Sequence, residues 1–150
     1  MTQPSLIARG YHDHAHGSTF ARVSLDYEGR FLRRKVVHTD DGQPLLVDLP
    51  KTTSLNHGGV LVLDDKREVL VVAADEKLLE VTADDLVRVA WHIGNRHTPC
   101  QVEKDRLLIQ RDHVIRDMLG KIGAEVRDVF EPFKPEGGAY GHGRTHSHAH

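Results

Sequence analysis

The chain has 150 residues, 20 Lys and Arg against 22 Asp and Glu, a formal net charge of −2, one Cys and 12 His. This length excludes a large multi-domain enzyme, and the near-neutral charge gives no general attraction to nucleic acid or anionic lipid. The apolar runs are too short to span a bilayer, residues 1–10 lack a signal-peptide core, and the single cysteine favours the reducing cytoplasm.

Histidine is the unusual residue type, and seven of the 12 lie in two short clusters. The first cluster spans residues 11–17 and contains His12, His14 and His16. The second spans residues 141–150 and contains His142, His146, His148 and His150. Both are rich in small and polar residues and lack an amphipathic period, so we predict that both are mobile segments.

Residues 18–74 are predicted to be all-β. Short apolar segments alternate with turn residues, and the polar run 64–68 between two valine-rich segments indicates a hairpin. Five strands with no helix between them are typical of a small sandwich or barrel-like unit. The predicted strands are 23–27, 30–37, 45–49, 60–63 and 69–72.

Residues 76–133 combine strands with two amphipathic helices. Thr82, followed three residues later by Asp85, resembles a capping box, and Gly94 is predicted to end the first helix. Asp112 is predicted to cap the second helix and Gly123 to end it. The apolar faces are Leu86, Val89, Ala90 and Ile93 in the first helix, and Ile115, Met118, Leu119 and Ile122 in the second.

Predicted strands at 77–81 and 125–130, and a hairpin formed by 100–103 and 106–110, complete the order β-α-β-β-α-β of a ferredoxin-like fold. The predicted fold class is therefore α+β. It consists of an all-β domain (1–74), a ferredoxin-like domain (75–134) and a flexible His-rich tail (135–150).

The histidine clusters indicate metal binding, because neutral imidazole is a good ligand for nickel, zinc and copper. His146, His148 and His150 alternate with small residues, unlike the uninterrupted run of an affinity tag, and we predict that this tail binds metal. For the N-terminal cluster, metal binding and a solvated loop remain alternatives.

Three further histidines lie in the second domain. His92 falls in the last turn of the first helix, where a cation is favourable, so we interpret it as structural. His97 lies in a loop between Gly94 and Pro99 and is expected to point outward. His113 falls in the first turn of the second helix. Each of these, taken alone, also fits an ordinary surface histidine.

The motifs of several enzyme and nucleic-acid-binding classes are missing from the sequence. There is no His-Glu-x-x-His, no Gly-x-Ser-x-Gly, no Walker sequence and no Cys/His set for structural zinc. The aromatic stacking motif of an RNA-binding ferredoxin-like domain is also missing. Cys100 is expected to be a buried strand thiol.

A single loop histidine cannot hold an ion firmly, because transition metals take four or more ligands. Either tail histidines complete the set, or a two-fold axis brings a second copy of the same residue. Such an open site is better suited to passing a metal on than to retaining it.

Three segments resemble motifs of the urease accessory protein E (UreE) family. They are residues 92–101 (HIGNRHTPCQ), 112–119 (DHVIRDML) and 133–141 (FKPEGGAYG), followed by the His-rich tail. The resemblance covers roughly residues 18–150. It implies a dimeric cytoplasmic nickel metallochaperone with an N-terminal β domain that binds peptide or a partner protein.

The resemblance also assigns residues by position. His97 matches the histidine that binds nickel across the dimer interface, and the histidines after Tyr140, foremost His146 and His148 with His150 and His142, match the tail ligands. His113 matches a weaker secondary site, where this chain has Arg111 in place of a histidine found in some relatives.

The implied function is delivery of Ni(II) to urease, without enzymatic activity, in partnership with the urease accessory GTPase and apo-urease. Zn(II) and Cu(II) suit the same donors. The alternative is a general transition-metal buffer without a client.

Overall fold

The computed structural model describes residues 4–137, and the chain divides into two compact units, Met1–Ala74 and Asp75–His150. Each unit has its own cluster of buried apolar side chains.

The first unit is all-β, as predicted. Its strands are β1 (Leu6–His12), β2 (Ala21–Leu25), β3 (Phe31–His38), β4 (Pro44–Ser54), β5 (Val60–Leu63) and β6 (Glu68–Ala73). They form one six-stranded sheet in the order β2-β6-β5-β1-β4-β3. The predicted hairpin is β5–β6, which pairs Leu61 with Val69, and Lys66 takes a positive φ of 77° in its turn.

The sequence does not predict β1. This strand lies between β4, with which it pairs in parallel, and β5, with which it is antiparallel. A register shift between Ala8 and Gly10 interrupts its alternation. Its partners are far away in the chain, for example Leu45 opposite Leu6, so no local pattern marks it.

The prediction that residues 11–17 are a mobile segment is wrong. Tyr11 and His12 belong to β1, where His12 pairs with Val60. His16 is bonded through both its backbone and its ring to Glu68. These anchors come from strands about 50 residues away, which a composition argument cannot detect.

The second unit has the predicted β-α-β-β-α-β order. Its elements are β7 (Asp75–Thr82), α1 (Leu86–Asn95), β8 (Gln101–Val102), β9 (Leu107–Gln110), α2 (His113–Lys121) and β10 (Glu125–Pro132). The four strands form an antiparallel sheet in the order β10-β7-β9-β8. The core joins strand and helix residues: Leu79, Val81, Val89, Ile93, Leu107, Ile109, Ile115 and Leu119.

The helix ends agree with prediction in α2 and differ in α1. Asp112 caps α2 by accepting hydrogen bonds from the backbone N–H groups of Val114 and Ile115, at 2.9 and 3.0 Å. The predicted cap Thr82 is the last residue of β7, so it cannot start α1. Asp85 is the cap, and it accepts from the Arg88 N–H at 3.1 Å.

The prediction that Gly94 ends α1 is also wrong. The helix continues through Gly94 to Asn95, and the residue with a left-handed backbone is His97. Glycine is tolerated inside a helix at a cost of about 1 kcal/mol relative to alanine, so its presence does not fix the helix end.

Candidate functional site at the end of helix α1

His97 follows Arg96, the residue that caps the end of α1, and it has φ 58° and an exposed side chain. Its backbone N–H donates to the Gly94 carbonyl at 2.9 Å, and the Thr98 N–H donates to the Ile93 carbonyl at 3.5 Å. These two bonds are those of the Schellman motif, in which a left-handed residue, usually glycine, reverses the chain. The backbone therefore turns the chain sharply away from the helix at His97.

The sequence after His97 explains why the helix cannot continue. Pro99 follows two residues later, and it disfavours helical backbone at Thr98. Histidine is one of the few non-glycine residues enriched in the left-handed region, which costs roughly 1–2 kcal/mol per residue for an L-amino acid. The site therefore carries an imidazole at a position where the backbone favours glycine.

The segment that precedes the C-terminal tail runs beside this site. Phe133 is fully buried, the Lys134 N–H donates to the Gln101 side-chain oxygen at 2.7 Å, and the Glu136 N–H donates to the Cys100 carbonyl at 2.9 Å. Residues 133–136 are thus held against Cys100 and Gln101, three and four residues after His97. The chain enters its His-rich tail from this point.

Cys100 packs against the core of the second unit, but it is only half-buried and precedes β8, so the prediction of a buried strand thiol is wrong. Burial, followed by the negative charge of Glu136, raises the pKa of its thiol to about 11. Because the thiolate is the form that binds metal, Cys100 is a poor ligand at neutral pH.

The other predicted metal residues are not brought to His97 within the described range. His113 is the first residue of α2 and is exposed. His92 lies in the last turn of α1, with its ring edge-on to that of Trp91 and the two ring centroids 5.1 Å apart. Within residues 4–137, no group of three His, Cys, Asp or Glu is already arranged to hold a metal ion. His142, His146, His148 and His150 lie outside the described residues.

Arg111 lies two residues before His113 in the chain, and its guanidinium has a structural role. It donates to the backbone carbonyls of Leu78 in β7 and Val129 in β10, both at 3.2 Å. The position that the family resemblance connects with a secondary metal site therefore carries, in this chain, a side chain that bridges two strands.

Two polar residues that the sequence analysis left without a role have contacts in the first unit. His57 accepts a hydrogen bond from the Ala73 N–H through its Nδ1 atom, at 3.0 Å. Glu68 holds His16, 52 residues away in the chain, with both carboxylate oxygens. No local sequence signal could have revealed either pairing, because both depend on strand packing.

No helix among the described residues is long and apolar enough to cross a membrane.

Comparisons with known proteins match residues 5–150 of the chain. The model of the UreE urease accessory protein N-terminal domain matches residues 5–74, and the model of its C-terminal domain matches residues 68–150. A urease accessory protein UreE from Ruegeria sp. (strain TM1040) is 66% identical over 147 residues, covering 97% of this chain and 84% of the relative.

Two further relatives bear the same name. The protein from Cereibacter sphaeroides is 56% identical, covering 85% of this chain and 70% of its own length. The protein from Rhodobacter capsulatus is 54% identical, covering 85% and 81%. These names describe an accessory protein and not an enzyme. On this similarity, the chain belongs to the UreE family of urease accessory proteins.

Proposed function

We propose that this protein carries Ni(II) and delivers it during assembly of the urease active site. The nickel ion is its cargo, held between the two copies of a homodimer by His97 of each copy and by histidines of the C-terminal tail. The observation that carries the proposal is the anchoring of residues 134–136 beside Cys100 and Gln101, because it starts the tail next to the loop that presents His97.

The reach of the chain is sufficient for the tail to meet His97. An extended chain spans at most about 3.3–3.6 Å per residue, so the three residues from Cys100 to His97 cover no more than about 11 Å. From Glu136, the six residues to His142 span up to about 20 Å and the ten residues to His146 up to about 33 Å. His142, His146, His148 and His150 therefore all have enough chain to supply ligands at His97.

The outer face of α1 supports a symmetric dimer. Val87 and Trp91 are one helical turn apart, and their exposed fractions are 83% and 63%. Large apolar side chains exposed on neighbouring turns are typical of an interface. If two copies pack through this face around a two-fold axis, the loops that follow both helices bring two His97 residues together.

The chemistry of these donors fits a carrier. Imidazoles bind Ni(II), Zn(II) and Cu(II), and the affinity of such sites rises from nickel to copper, so the choice of nickel depends on supply and on the receiving partner. A site with two fixed ligands and several tail ligands can exchange those ligands one at a time. His113, exposed at the start of α2, is an additional candidate ligand on the same unit.

The partners in this proposal are the urease accessory GTPase and apo-urease, in the cytoplasm. The family membership supports a place in urease maturation. A chain with a single cysteine has no internal disulfide to maintain, which fits a reducing compartment.

Nickel titration of the full-length protein tests the metal site. We expect His97→Ala to weaken the tightest nickel binding at least about 100-fold, or about 2.7 kcal/mol. The control His92→Ala removes an imidazole of the same unit that lies against Trp91, and we expect it to bind nickel normally. Unchanged tight binding by His97→Ala would contradict the assignment of His97.

A reconstitution experiment tests delivery. Apo-urease and the accessory GTPase are incubated with the nickel-loaded protein or with its His97→Ala variant at equal total nickel. We expect the native protein to yield more active urease than the variant. Equal activation, together with failure to purify with the GTPase, would favour the general metal buffer instead.

A further inference from the structure

Three exposed histidines of the first unit lie close together: His12, the last residue of β1, and His14 and His16 just after it. The ring centroids of His12 and His16 are 4.9 Å apart, and those of His14 and His16 are 5.2 Å apart. We propose that His12, His14 and His16 form a second binding site for a divalent transition-metal ion, with His16 as the ligand fixed in advance. This site belongs to the first unit and does not depend on the proposed role of His97.

The ring spacing matches that of histidines sharing one ion. A ligating imidazole nitrogen lies about 2.0–2.1 Å from a zinc ion, and the ring centroid lies about 1 Å further out. Two such rings at square or tetrahedral angles have centroids roughly 4.5–5.3 Å apart. Both measured distances fall in this interval.

Glu68 fixes the orientation of His16. One carboxylate oxygen accepts from the His16 backbone N–H and the other lies 2.9 Å from the ring Nδ1, while the Glu68 side chain is only 13% exposed. The backbone hydrogen bond from His16, followed by that of its ring, holds the pKa of Glu68 below its usual range. A carboxylate on Nδ1 places the ring proton there and leaves Nε2 with its lone pair for a metal, as in carboxylate–histidine–zinc sites.

The segment that carries the three rings is braced at both ends. At its start, the Tyr11 hydroxyl accepts a hydrogen bond from the Asn56 N–H at 2.7 Å, and Asp13 accepts from the Asn56 side chain at 3.3 Å. Gly59 makes room for Tyr11, since a Cβ at that position would lie 2.3 Å from the hydroxyl oxygen. At its end, His16 is held by Glu68.

Binding requires the side chains of His12 and His14 to reorient. No three donors among residues 4–137 already point at one position, so the exposed rings of His12 and His14 must rotate towards Nε2 of His16. Rotation of exposed side chains is fast and meets little resistance. Three imidazoles favour nickel, zinc or copper over magnesium or calcium, which prefer oxygen ligands.

The test uses a full-length background variant that lacks the other proposed ligands: His97→Ala and His113→Ala, with His142, His146, His148 and His150 each replaced by Asn. Calorimetric titration with NiCl2 is expected to show one remaining ion per chain. Adding His12→Asn, His14→Asn and His16→Asn should abolish this binding. The control His38→Asn, an exposed histidine at the end of β3, should leave it intact.

The role of Glu68 gives a second, independent readout. In the same background, Glu68→Gln should weaken nickel binding about 10–100-fold, the usual effect of losing such an outer partner. Glu28→Gln, an exposed control on the same unit, should have no effect. In NMR spectra, paramagnetic Ni(II) should broaden the amide signals of residues 12–16 and 68 first.

Absence of a residual ion in the background variant, or residual binding that survives the triple His→Asn change, would overturn the proposal. Broadening confined to residues outside 11–17 and 68 would do the same. The delivery experiment with His97→Ala is independent of this titration. The background variant already lacks His97, so nickel binding that remains in it does not depend on the role of His97 in delivery.

Discussion

Helices α1 and α2 of the second unit end in the same backbone motif but with different residues. In α2, the Gly123 N–H donates to the Gly120 carbonyl at 3.2 Å and the Ala124 N–H to the Leu119 carbonyl at 3.0 Å, with φ 87° at Gly123. In α1, His97 takes the place of Gly123 with φ 58°. The left-handed position is therefore glycine after α2, where the turn has only a structural role. It is histidine after α1, where we propose that the side chain binds metal.

This difference has an energetic meaning. A left-handed backbone costs roughly 1–2 kcal/mol for a residue with a Cβ and almost nothing for glycine. Backbone strain of this kind persists at functional sites, where the side chain has a task that glycine cannot perform. The comparison with Gly123 in the same unit shows what a purely structural helix end looks like in this protein.

The outer faces of the two helices also differ. α1 exposes Val87 and Trp91, whereas the only large apolar side chain among the exposed residues of α2 is Val114, at 50%. The helix that leads to His97 thus carries the larger unburied apolar surface.

Among changes to the outer faces and ends of the two helices, the largest effect is expected for Trp91→Ala. If α1 is the dimer face, removal of this aromatic side chain should weaken dimerisation by about 2 kcal/mol or more, which is roughly 30-fold or more in the dissociation constant. Sedimentation or light scattering over a dilution series measures this constant. Phe130→Ala is the control, since Phe130 is 64% exposed on β10. Equal dissociation constants for the two variants would mean that the exposed apolar face of α1 is not the dimer interface.

The next effect concerns the end of α2. Gly123→Val should lower the free energy of unfolding by about 2 kcal/mol, because a β-branched residue is a poor fit for the left-handed region. A Cβ at Gly123 would meet no atom within 4 Å, so a clash does not contribute. Urea denaturation measures the change, and Gly120→Ala inside the helix is the matched control. If Gly123→Val leaves the free energy of unfolding unchanged, the left-handed position costs little for a residue with a Cβ, and the two helix ends do not differ in backbone strain.

A smaller effect of opposite sign is expected for Gly94→Ala. Because Gly94 lies inside α1 with open space around it, alanine should raise the free energy of unfolding by about 0.5–1 kcal/mol. If Gly94 were the left-handed residue at the helix end, the same substitution would destabilise the protein. The sign of the change therefore locates the end of α1 in solution.

Local signals predicted most of the fold. Each correctly predicted feature depends on residues only a few positions apart in the chain. These features are the apolar faces of both helices, the Asp112 cap, Gly123 at the end of α2, and the β5–β6 hairpin. Strand β1 could not be predicted in this way, since its pairing with β4 and β5 joins residues about 40–50 positions apart. The end of α1 was misplaced because Gly94 carries the usual signal while His97, three residues later, takes the conformation.

The candidate site was predicted in part. His97 could be singled out from its loop position and from the family resemblance, and the structure adds its backbone geometry and the anchored segment 133–136. The pairing of His16 with Glu68 could not be predicted, because it forms only when the connection between β1 and β2 meets the start of β6 in the folded unit.

His97→Gly, studied by urea denaturation in the presence of a chelator and by nickel titration, tests most directly whether residue 97 trades stability for nickel binding. We predict that the free energy of unfolding rises by about 0.5–1 kcal/mol, as the strained position receives glycine. We predict that tight nickel binding weakens at least about 100-fold in the same variant. A His97→Gly protein that is less stable, or that binds nickel as tightly as the native protein, would contradict the account.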